Sequence, residues 1–145
     1  MAASDMDDRA QIQDLVHRYS DAVTRKDREQ WSSTWAADSH WDLGKGRTTS
    51  GRDEIVDFWQ SSVDGLDIVV QLVHNGTVEI DGDTARGRWY VSEHLRRSNG
   101  ALGMLLAWYD DTYARVDGEW RFTSRLLGRL YHGAPDLTGD WTPQR

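Results

Sequence analysis

The chain contains no cysteine, which excludes a disulfide framework and any metal site built on thiolates. No apolar run approaches the ~18 residues that a membrane span requires, and the opening stretch MAASDMDDRAQ lacks the basic and then apolar regions of an export signal. Both absences predict a cytoplasmic protein with no membrane partner. Clusters of Lys and Arg are missing too. With a net charge of −7 and a pI near 5.1, the chain has no basic run of the kind that binds phosphates, so nucleic acid is not an expected partner. Phenylalanine is scarce, two residues against eight tryptophans. Such bulky rings must fill a core, line a cavity or sit at an interface, and their number predicts a homodimer or homotrimer. The five histidines show no metal-binding spacing, and no cofactor is expected.

What the chain does have is a long paired stretch, Met104 to Tyr131, reading as two strands joined across Asp117-Gly118. Asp-Gly between alternating runs favours the turn whose twist matches the strands. A two-residue turn flanked by Val116 and Glu119 sets Tyr113 opposite Phe122, Trp108 opposite Leu127 and Asp110 opposite Arg125. The last pair is either a structural ion bridge or part of a polar site inside an apolar cavity. Asp111 competes for Arg125 if a bulge shifts the strand by one residue.

At 145 residues the chain suits one domain, 1–145, with irregular tails at 1–6 and 133–145. Ser4 with Asp7 resembles a capping box, and Ile12, Leu15, Val16, Tyr19, Ala22 and Val23 recur at helical spacing. Tyr19 lies mid-stripe and points inward, as a core tyrosine or as a pocket donor. Asp27 caps a short second helix in which Trp31 and Trp35 stack one turn apart. A short strand follows over Asp38 to Leu43, then a solvated loop, Gly44 to Gly51. A third helix spans Arg52 to Val63 with Ile55, Phe58, Trp59 and Val63 buried. From Ile68 the period is two, with Ile68, Val70, Leu72, His74, Val78 and Ile80 on one face, and Asp81-Gly82 closes a hairpin. Ile80 and Asp83 as turn flanks pair Val78 with Ala85, Gly76 with Gly87, His74 with Trp89, Leu72 with Val91 and Val70 with Glu93. His74 and Glu93 are then the ionisable groups of the inner face. The tail from Gly133, which holds Pro135 and Pro143, covers an opening or a neighbouring subunit.

Four stretches carry a resemblance: IQDL at Ile12 to Leu15, the run from Lys26 to Trp35, VHNGTVEI at Val73 to Ile80, and the YxRxDGxWRF pattern at Tyr113 to Phe122. With the element order, they resemble the SnoaL-like branch of the nuclear transport factor two-like superfamily over about Asp7 to Tyr131. The resemblance implies an α+β fold, a curved antiparallel sheet wrapped around three N-terminal helices to form a cone with an apolar pocket. Members include scytalone dehydratase, hexachlorocyclohexane dehydrochlorinase and non-catalytic subunits. It further implies His74 as general base, Tyr19 at the place of a pocket lysine and Arg125 as the pocket arginine. The inner faces bring Trp89, Val91, Glu93, Trp108 and Asp110 to the substrate, with Thr24 standing where the dehydratases carry the Asp that orients the base. The expected function is a cofactor-independent lyase or isomerase acting on a small hydrophobic cyclic molecule. The alternative, which Thr24 allows, is a non-catalytic binding or assembly protein.

Overall fold

The computed structural model describes residues 3–143. Helix α1 runs from Ala3 to Arg25, and its stripe Ile12, Leu15, Val16, Tyr19, Ala22 and Val23 is buried, as the periodicity predicts. Because the helix is under way at Ala3, Ser4 lies inside its first turn and is not the cap. Residues 3–6 are therefore helical, whereas 1–2 lie outside the described residues. Lys26 takes a left-handed conformation, φ 54°, and Asp27 then caps α2, Arg28–Ser33, by accepting from the Gln30 amide at 3.0 Å.

Trp35 does not continue that helix. It opens strand β1, Trp35–Asp42, because the Thr34 hydroxyl and amide both bond the Trp31 carbonyl and close the last turn. Trp31 meets Trp35 edge to face and stacks instead on Trp59, with centroids 4.5 Å apart and planes 8° from parallel. The following loop is more than a solvated turn, since its Thr48–Ser50 forms β2 against β1. Helix α3, Arg52–Asp64, buries Ile55, Val56, Trp59 and Val63. Phe58 is not on that face; it is 39 % exposed and meets the edge of Trp41.

Strands β3 (Leu66–Asp81), β4 (Thr84–Arg97), β5 (Leu102–Val116) and β6 (Glu119–Gly133) form two long hairpins. The sheet order is β2-β1-β6-β5-β4-β3, with short β7 (Asp140–Trp141) on β6. Strand β1 runs parallel to β6 and every other pairing is antiparallel, so the curved sheet is mixed. Helix α1 lies against β3 and β6, and the core fills the space between. Six of the eight tryptophans are absorbed there, leaving only Trp108 and Trp141 outside it. The C-terminal stretch is not wholly irregular, because β7 pairs with Tyr131 and His132.

Both hairpins depart from the simple register, each for a physical reason. In the first, Gly82 and Asp83 are the turn residues, so Asp81 pairs with Thr84 and Gly76 with Trp89. Gly76 is required there, since a Cβ would lie 2.4 Å from the Trp89 ring. Beyond Gly76, two residues, His74 and Asn75, oppose Tyr90 alone, and pairing resumes at Val73 with Val91. This bulge reverses the alternation. Val69 and Gln71 face inward before it and Val78 after it, whereas Ile68 and Leu72 are about half exposed. In the second hairpin Tyr113 pairs with Phe122 as the turn predicts. An extra residue, Thr123, then sets Asp111 opposite Arg125, Asp110 opposite Leu126 and Trp108 opposite Gly128.

Candidate functional site

Where α1, α3 and the concave face of the sheet leave a gap, a cavity of about 260 Å³ opens. Trp41, Trp59, Val69, Leu105 and Leu127 make its walls mostly apolar, and Tyr19, Tyr109, Gln71 and Glu93 are the polar groups set deepest. The bulge at His74-Asn75 determines which residue of β3 enters. Gln71 points in, with its backbone amide donating to Thr24 Oγ1 at 3.0 Å and its side-chain oxygen accepting from Ser20 Oγ at 2.7 Å. Its Nε2 donates to Glu93 Oε2 at 3.0 Å. Ser20 and Gln71 are both buried, so a chain of hydrogen bonds from α1 through β3 fixes the carboxylate on β4.

Glu93 lies in low-dielectric surroundings, and burial raises its pKa above the ordinary glutamate value while the Gln71 bond partly opposes that rise. The two tyrosines are held neutral. Burial pushes the Tyr19 hydroxyl well above 10, and the neighbouring Tyr109 adds to the effect. Burial raises Tyr109 as well, against the pull of Arg125. A carboxylate that accepts a proton readily thus shares the cavity with two phenols that remain donors.

His74 is not part of this arrangement. The extra residue turns it to the outer face of the sheet, where it is exposed and bonds Ser92 Oγ at 2.8 Å. Arg125 lies beneath the cavity rather than in it. Its side chain is fully buried, gripped by Asp111 at 2.7 and 3.1 Å. The rings of Tyr109, Phe122 and Tyr19 surround the guanidinium at 3.9, 4.3 and 4.4 Å. Burial alone would lower its pKa, but the charge of Asp111 outweighs that and keeps it protonated. The Tyr113 hydroxyl donates to Asp111 at 2.7 Å and accepts from Trp89 Nε1 at 3.0 Å, so Trp89 belongs to this buried chain and not to the cavity wall.

The remaining pocket candidates divide in the same way. Glu93 lines the cavity and Val91 packs in the core. Thr24 is exposed at the helix surface and reaches the site only through the Gln71 amide. Trp108 and Asp110 belong to the outer face, where Arg88 holds Asp110 at 2.6 and 2.8 Å and sits 4.2 Å above the Trp108 ring. Inspection of the sequence overlooks Gln71 and Tyr109. Gln71 reads as a solvent-side residue of an unbroken strand, and the only local sign otherwise is Asn75-Gly76 interrupting the apolar run.

The SnoaL-like domain model matches residues 4–126. The chain belongs to the SnoaL-like domain family. An uncharacterized protein of Mycobacterium tuberculosis (strain ATCC 25618 / H37Rv) is 26 % identical over 134 residues, covering 90 % of this chain and 91 % of that protein. A provisionally assigned scytalone dehydratase of Novosphingobium aromaticivorans superposes with a TM-score of 0.89 at 18 % identity, over 100 % of this chain and 99 % of its own. A hexachlorocyclohexane dehydrochlorinase, LinA type3, of Novosphingobium barchaimii superposes with a TM-score of 0.82 at 21 % identity, over 95 % and 97 %. These likenesses establish the nuclear transport factor two-like cone for the SnoaL-like chain. Among the described residues no helix is long and apolar enough to cross a membrane.

Proposed function

We propose that the cavity performs cofactor-independent proton transfer on a small cyclic or aromatic molecule, a reaction of the lyase or isomerase kind, with Glu93 as general base. The observation that carries this reading is a half-buried carboxylate, oriented by Gln71 and Ser20 inside an aromatic-walled cavity, whose pKa desolvation raises. Glu93 takes a proton from carbon, and the released electron pair forms the new double bond. In an elimination the leaving group departs with its own bonding pair. In an isomerisation charge passes to a substrate oxygen, where Tyr19 and Tyr109 donate hydrogen bonds, and the protonated Glu93 returns the proton to another carbon. The dehydratase and dehydrochlorinase names borne by structural relatives agree with such chemistry.

A binding protein without turnover is the second reading. What favours it is Gln71, an amide with no proton affinity, at the inward position beside Thr24. Solvent-deuterium exchange at the acidic carbon of 2-tetralone, followed by proton NMR, separates the two. The SnoaL-like protein accelerates exchange if Glu93 is the base, Glu93→Gln lowers that rate by about a hundredfold or more, and His74→Ala exchanges like wild type. A bound but unexchanged 2-tetralone, or a Glu93→Gln variant as fast as wild type, rejects the base.

The assembly expected of this protein is a homodimer or homotrimer formed through the outer sheet face, where Ile68, Leu72 and Leu126 are 40–48 % exposed.

A further inference from the structure

Of the described arginines, nine are in ion pairs and five are not: Arg9, Arg47, Arg52, Arg97 and Arg129. Arg9 and Arg52 are occupied by the carbonyls of Val78 and Trp35. The other three converge on one place, the mouth of the cavity, and His132 joins them. The same four continue into an outer groove together with Lys45, where Asp140 on β7 is the single carboxylate among the described residues. A chain carrying seven net negative charges therefore gathers at one opening three of the five described arginines that have no ion-pair partner.

Among the described residues their partners are weak or missing. Arg47 reaches only the Leu43 carbonyl, at 3.5 Å. Arg129 Nε is buried and has no hydrogen-bond partner, so that donor is desolvated without recompense. Burial, and then the nearby charge of Arg47, lower the Arg129 pKa, as expected of cations crowded together with no anion between them.

We infer that the mouth binds an oxyanion group of the ligand, a carboxylate or a phosphate, while the ligand's apolar ring body fills the cavity. This rests on the cavity being the ligand site. Strand β4 supplies the scale. Glu93 and Arg97 lie four residues apart on its inward face, roughly 13 Å along the strand. Side chains stand roughly perpendicular to a strand, so their charged ends keep about that separation, which is on the order of the span of a two-ring body. The anion is thus held away from Glu93 and fixes which carbon the carboxylate meets. A guanidinium matches a carboxylate through two parallel bonds, so Arg129, whose Nε is already desolvated, is the principal contact and Arg97 and Arg47 complete the field.

The test uses 2-naphthoate, 2-naphthyl phosphate and the neutral 2-naphthamide, titrated against the fluorescence of the cavity tryptophans at low and high salt. Binding of either anion at least tenfold more tightly than the amide, with a preference that shrinks as salt rises, supports the site and tells which oxyanion it takes. Arg129→Gln reduces that preference toward unity, and Arg97→Gln, at an exposed position, does so partially should the first variant fold poorly. Equal affinity of anions and amide, or a preference unchanged in both variants, overturns the inference. If 2-tetralone exchange persists while that result is found, the anion site alone falls. Absence of saturable binding by every naphthyl probe overturns both the anion site and the cavity as ligand site.

Discussion

Replacing Arg125 by Met leaves the SnoaL-like fold with a carboxylate, Asp111, that is wholly buried and has lost its counter-charge. The methionine keeps much of the volume between Tyr19, Tyr109 and Phe122, so the packing loss is small compared with the electrostatic one. Breaking a buried pair by removing one member costs about 3–5 kcal/mol, which at this chain length lowers Tm by roughly 10–16 °C. Arg125→Met with Asp111→Asn removes both charges and keeps an acceptor for the Tyr113 hydroxyl, so it recovers at least half of the loss. The pH dependence supplies a second signature. Burial raises the Asp111 pKa above its unfolded value, and Arg125 opposes that rise. Without the guanidinium the folded pKa climbs further, so the single variant approaches wild type below the unfolded carboxylate pKa and falls behind as pH rises through the folded one. The double variant lacks this slope. Urea unfolding at several pH values reads both effects. A single variant within about 1 kcal/mol of wild type, or a double variant no more stable than the single, refutes the assignment of Arg125 as a buried structural cation.

Gly76→Ala forces a Cβ against the Trp89 ring at 2.4 Å and lowers stability by about 1–3 kcal/mol, measured by thermal unfolding; a neutral result would mean that the indole moves freely. Sedimentation at micromolar concentration gives a mass two or three times 16.6 kDa if the outer sheet face is an interface, and a monomer mass removes that assembly. Glu93→Gln, the variant that tests catalysis, also gains stability near neutral pH, because the raised folded pKa of Glu93 penalises the fold once the unfolded carboxyl ionises.

Element order, the Asp117-Gly118 turn, the Asp27 cap and the buried stripe of α1 are legible in the residues because each rests on local chemistry. So is the rivalry of Asp110 and Asp111 for Arg125, which one extra residue decides in favour of Asp111. The face of β3 is not legible. Ile68, Val69, Val70, Leu72 and Val73 are apolar at both parities, so alternation holds no information about which side is inward until the partner strand and its bulge are known. The assignment of His74 to the cavity fails for that reason. Glu93 survives because β4, which has no bulge against β5, alternates cleanly. Arg129 goes unnoticed because an arginine in a strand ordinarily reads as a solvent-facing residue, and only the convergence of Arg47, Arg97 and His132 gives it meaning.

The two-for-one step at His74 and Asn75 also bears on how such a cavity changes over time. Point substitutions on β3 alter one wall residue at a time, and each is constrained by what already surrounds it. Losing a single codon from the step would do something else: it would rotate Leu66 to Val73 as a block, withdraw Gln71 from Glu93, and present Val70 and Leu72 to the ligand in one event. In this fold, therefore, a one-residue length change in β3 exchanges one set of cavity chemistry for another while the other strands keep their pairing.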